Sequence, residues 1–97
     1  MVSSVSACEL IGLPQQVEQA TRVAWGVKID AYLMDAAQVG DRITAFVYCD
    51  LSGVSSDGMT VVTPEVRAVR QVRGFTLVRS LTGQDHYVIV SKLSEGL

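Results

Sequence analysis

The sequence predicts an α+β domain in which an N-terminal helical segment packs on a mostly antiparallel sheet of about five strands. Three observations predict it. Helix punctuation is concentrated in the first fifth of the chain, runs of alternating apolar residues follow, and Gly- and Asp-containing turns separate those runs at short intervals.

In chain order, Ser6-Ala7-Cys8-Glu9 has the spacing of a capping box, and Pro14 ahead of "QQVEQA" suits a helix with proline in its first turn. From Val23 to Leu33 two periods compete. Leu13, Val17, Ala20, Ala24, Val27, Ala31 and Met34 fit a helical stripe, whereas Val23, Trp25, Val27, Ile29, Ala31 and Leu33 alternate. A longer helix would hold Gly26 in its interior, at a cost of about 1 kcal/mol relative to alanine, so the alternation predicts a strand. "DAAQVGD" reads as the connection to a second strand, Ile43–Cys49, apolar on both faces. Such a strand is either covered on two sides or presents its aromatic face to a second subunit. "DLSGVSSDG" is loop chemistry ending in a tight turn at Asp57-Gly58, ahead of a short strand Met59–Val62.

"TPEVRAVRQVRG", residues 63–74, supports two structures. Thr63, Pro64, Glu65 and Gly74 are helix punctuation, but three valines in seven residues and an Arg73-Gly74 pair leading into "FTLVRS" favour a strand and hairpin. The strand reading is preferred. It puts Arg67 and Arg73 on one face and Arg70 on the other. Phe75–Ser80 and His86–Ser91, joined by "LTGQD", complete an antiparallel meander.

One domain spans residues 1–97, since a second core would leave each half too small. Hydrophobic residues make up 48% and charged residues 19%, more apolar surface than so small a core hides, and a homodimer is the expectation. No apolar run approaches the roughly 18 residues of a membrane span, and "MVSSVSACELIGLP" lacks a basic secretory start, so a cytoplasmic protein is expected. Cys8 and Cys49 are far apart with no CxxC pair and read as packing thiols.

Charge is polarised along the chain. Residues 1–65 carry three basic residues against eight acids, and residues 66–92 carry five against Asp85 alone. Arg67, Arg70, Arg73 and Arg79 are the basic-surface candidates. A pI of about 5.1 disfavours a dedicated nucleic-acid domain, and pairing of the two halves is the simpler reading.

No catalytic residue is assigned. His86 is the sole histidine and neighbours Asp85, but adjacent strand residues point to opposite faces, so Asp85 is badly placed to orient it. Cys8, Cys49 and His86 show no short-range metal-ligand spacing, the dispersed glycines form no phosphate cradle, and no cofactor is expected. Trp25, Tyr32, Phe46, Tyr48, Phe75 and Tyr87 are the candidates for an interface or for a ligand pocket between helix and sheet, with core packing as the commonest fate of such residues.

The grammar "DGMTVVTPEVRAV…GFTLVRSLTG…HYVIV", over the C-terminal two-fifths, resembles small β-rich domains encoded by bacteria and by mobile gene cassettes; the resemblance implies no activity. The expected function is a non-enzymatic, self-associating interaction protein. A small-molecule binder using the aromatic set is the alternative, and nucleic-acid binding through segment 67–79 a further one.

Overall fold

Residues 12–93 are described by a computed structural model of the chain. It contains one helix, α1 (Gln15–Thr21), and six strands, β1 (Ala31–Val39), β2 (Arg42–Tyr48), β3 (Thr60–Val62), β4 (Val66–Val72), β5 (Phe75–Ser80) and β6 (His86–Ile89). The capping box at residues 6–9 lies outside the described residues.

Pro14 occupies the N-cap of α1, where its fixed φ of −55° leads into the first turn, and no side chain caps the helix there. Seven residues are too few to hold a helix alone. Burial holds this one: Val17 and Ala20 are fully enclosed, and the Ala20 carbonyl at the helix end accepts from both the Val23 amide and the Trp25 indole Nε1.

The expected strand over 23–33 begins later than its alternation suggested. Gly26, at φ 80°, turns the chain, so residues 22–30 form an irregular connection, and β1 runs from Ala31 through the stretch expected to be a loop. The sequence hid this because β1 contains a bulge. Asp35 takes φ 52°, and the register with β2 slips between Met34 and Ala37. Ser91 holds the bulge in place, its Oγ accepting from the Asp35 amide and its carbonyl from the Ala36 amide.

Residues 66–72 are a strand. Arg73 at φ 55° and Gly74 at φ 85° make a two-residue hairpin with both central residues left-handed, which joins β4 to β5 with the twist that sheets require. A helix would have needed Arg73 in the right-handed region.

The strands lie in the order β3-β2-β1-β6-β5-β4, antiparallel throughout except for β1 beside β6, which are parallel. The expected sheet of about five mostly antiparallel strands is therefore matched only roughly: it has six strands, and one of its five ladders is parallel. The two edge strands are consecutive in sequence, and the link between them closes the sheet. The Thr63 and Val66 amides donate to the carbonyls of Ile43 and Asp41 on one side, while the Glu65 carbonyl accepts from the Leu81 amide on the other. Pro64, which has no amide hydrogen to offer, stands where the chain leaves β2 and joins β5. With β3 and β4 taken as one kinked run, five runs form the ring. An odd number of alternating runs cannot close antiparallel throughout, so the first and last meet parallel.

Closure separates two apolar layers. Inside lie Ala31, Leu33, Ala36, Ile43, Ala45, Val47, Val78 and Ile89, with Val61, Val66 and Tyr87 against them, so every strand contributes. Outside, Val17, Ala20, Trp25, Tyr32, Phe75, Leu77, Val88 and Val90 pack where α1 and the segment after it cover part of the sheet. Cys49 belongs to this outer layer and is disulfide-bonded, which corrects its reading as a packing thiol; Cys8 lies outside the described residues.

Candidate functional site

The outer face of the sheet is covered unevenly. Residues directly opposite each other on paired strands share a face, so Tyr32 with Tyr48, Met34 with Phe46, Thr44 with Val62 and Phe46 with Thr60 all point outward. Under α1 and the 22–30 connection this face is core. Over β2 and β3 nothing among the described residues covers it, and Phe46 and Val62 stand 41% and 63% exposed beside half-buried Met34. Arg42 is the one charge on the outer face of β2, at its end, where its guanidinium donates to the Thr63 carbonyl. The face is therefore apolar and nearly neutral.

A cavity of about 290 Å³ opens at one end of the barrel interior, lined by Ala31, Leu33, Val47, Val61 and Tyr87, with Asp50 and the Ser52–Ser55 loop at its rim. Asp50 is held there by the Ser52 amide, the Ser52 Oγ and the Ser55 amide. Burial pushes its carboxyl up, but the hydrogen bonds from Ser55 and Ser52 together outweigh burial and leave it below the usual range. The Tyr87 hydroxyl is pushed up to about 12, first by burial and then by the negative charges of Asp85, Asp30 and Asp50. This end of the barrel is thus apolar within and negative at the rim.

The opposite charge gathers on β4 and β5. Arg67 faces Arg79 directly across the ladder, and both are exposed. The bulge between Ala68 and Arg70 sets Arg70 opposite Leu77, on the same outer face as Arg67 and Arg79, which corrects the expected placement of Arg70 on the opposite face. There it donates to the Trp25 carbonyl with its guanidinium 5.9 Å from the centre of the indole ring. The four arginines therefore do not act as one ridge, and Arg70 belongs to the packing of Trp25.

The six aromatic candidates do not form one site either. Trp25, Tyr32 and Phe75 are core residues beneath α1, Tyr48 is half-buried beside them, Phe46 faces outward, and Tyr87 lines the cavity at the barrel end. That cavity lies on the inner side of the sheet, away from the helix. Sequence reasoning missed it because alternation shows that a strand has two faces and not that the sheet curls until one face becomes an interior.

His86 opens β6, and its amide donates to the carboxylate of Asp30 rather than of Asp85; among the described residues no hydrogen bond joins its ring to an acid. No group of three His, Cys, Asp or Glu side chains among the described residues is arranged to hold a metal, and no helix there is long and apolar enough to cross a membrane. Among the described residues, fold and surfaces together define a small closed β-domain with one covering helix, an apolar face that none of those residues covers and a basic edge. Compared with known proteins, the chain matches no family model, no curated protein and no solved structure.

Proposed function

We propose that the protein is a non-enzymatic interaction module that associates with a second copy of itself through the outer face of β2 and β3. The observation that carries this reading is the exposure of Phe46 and Val62 on a face that elsewhere on the same sheet serves as core. Because a two-fold contact sets a patch against itself, a nearly neutral face meets its copy without like-charge repulsion, which the arginine edge could not do. A modest stable interface needs roughly 500 Å² from each partner. That is a small part of the chain's 5904 Å².

Phe46→Asp tests the proposal. It adds a charge at an exposed position, leaves the barrel interior untouched, and turns a dimer into a monomer in light scattering while near-ultraviolet circular dichroism stays unchanged. A wild-type chain that scatters as a monomer at every concentration contradicts the reading.

The cavity at Tyr87 supports a second reading, a binder of small ligands that combine apolar bulk with positive charge, since aromatic faces and nearby carboxylates both attract cations. Its volume is near the lower limit of ligand sites, about 300 Å³, which ranks this reading second. A thermal-shift series with tetraalkylammonium ions against wild type and Tyr87→Ala checks it: stabilisation of the wild type alone is expected, and equal or absent responses count against it.

A disulfide at Cys49 sits poorly with the cytoplasmic placement expected from the sequence, because such bonds persist in oxidising compartments and are rare in the cytosol. Trapping thiols in intact cells with an alkylating reagent distinguishes the two, as a cytoplasmic chain would be found largely alkylated at Cys49.

A further inference from the structure

The surface that self-association leaves unused is the open edge of β4. Beyond Val66 this strand is bonded to β5 on one side, and among the described residues nothing pairs with its other side. In a two-residue hairpin the flanking pair exchanges both backbone bonds, and alternate pairs do the same. Val72 with Phe75 and Arg70 with Leu77 therefore use their groups within the sheet, and Gln71 directs its amide and carbonyl outward. Unspent donors and acceptors on a strand edge are a template for a further strand.

The side chains along this edge specify what kind of strand. The one ion pair among the described residues is Arg22 with Glu18, so Arg67, Arg73 and Arg79 have no carboxylate partner among the described residues. Arg67 and Arg79 border a shallow groove of about 390 Å³ together with Ala68, Val69, Ser80 and Leu81. Val69 and Leu81 are about half exposed there. Like charges directly opposite on a ladder are unfavourable, and a carboxylate placed between them removes the conflict.

We propose that the open edge of β4 docks an extended acidic peptide, which joins the sheet beside Gln71 and sets its carboxylates against Arg67, Arg73 and Arg79. A second copy of the chain is the wrong occupant, because edge-to-edge pairing would bring two sets of arginines together. A polynucleotide also fits poorly. Its phosphates accept hydrogen bonds but cannot satisfy the outward carbonyl of Gln71, which needs a donor.

The test uses the full chain and a fluorescein-labelled peptide, Glu-Thr-Glu-Val-Glu-Thr-Glu, followed by anisotropy and by the fluorescence of Trp25, which Arg70 ties to β4. Saturable binding is expected, weakened at least about tenfold by replacing the peptide's Glu with Gln and by methylating alternate backbone nitrogens of the peptide. These two controls alter only the peptide, so folding of the protein cannot confound them. Arg67→Glu with Arg79→Glu lowers affinity by a similar factor, and Phe46→Asp leaves it unchanged, which separates this surface from the self-association face. An unmethylated and a methylated peptide that bind equally, an oligothymidylate that binds more tightly than the peptide, or absence of peptide binding would each overturn the proposal.

Discussion

Arg67 on β4 stands directly across the antiparallel ladder from Arg79 on β5, both exposed and neither with a carboxylate partner on the described chain. The pair sits at a position where opposite charges would contribute and like charges cost a few tenths of a kcal/mol or more. Replacing one member is therefore expected to stabilise the isolated protein. Arg79→Glu should raise stability by roughly 0.2–1 kcal/mol in urea unfolding at low salt, with the gain shrinking at high salt. No gain at low salt would show that the two guanidinium groups already avoid each other.

The hairpin between β4 and β5 is expected to depend on Gly74. Its φ of 85° belongs to the left-handed region, where a Cβ costs roughly 1–2 kcal/mol even though open space surrounds it. Gly74→Ala should lower the urea midpoint accordingly. Arg73→Asn should be neutral or stabilising, since Arg73 holds φ 55° and asparagine tolerates that region better. An unchanged midpoint in Gly74→Ala, or a lowered one in Arg73→Asn, would contradict the two-residue turn.

Much of this fold can be read from spacing, and the exceptions share one cause. The strands at 43–49, 66–72 and 75–80 follow from alternation and turn residues whose effects are local. The start of β1 does not. Trp25, Val27 and Ile29 alternate as a strand would, yet Gly26 bends the chain so that Trp25 can reach the end of α1, a contact invisible to any local pattern. Closure of the barrel is equally non-local, because Thr63 and Glu65 acquire meaning only when Ile43 and Leu81 are brought to either side of them. Of the site candidates, the outward aromatic on β2 was legible from a strand apolar on both faces. The cavity at Tyr87 and the pairing of Arg70 with Trp25 were not, since both depend on that closure.

Tyr87 makes stability depend on alkaline pH. Burial first, and then Asp85, Asp30 and Asp50, raise its folded value to about 12, above the ordinary tyrosine value of about 10. A raised folded value means that the contribution is complete below pH about 10 and is lost as pH climbs through about 12. Burial raises Tyr32 as well, in the same direction. Absorbance titration of wild type minus Tyr87→Phe should give a difference curve centred near 12, and denaturation midpoints should fall more steeply above pH 10 in wild type than in the variant. A difference curve centred at 10 would place the Tyr87 hydroxyl in free solvent.

The central claim is that the face carrying Phe46 and Val62 is hidden in solution by a second copy of the chain. Sedimentation velocity from low micromolar to millimolar concentration measures this most directly. The account predicts a boundary that moves from the 10.4 kDa chain toward twice that mass as concentration rises, and a Phe46→Asp chain that stays at the lower mass. A wild-type boundary fixed at the mass of one chain across the whole range would contradict it.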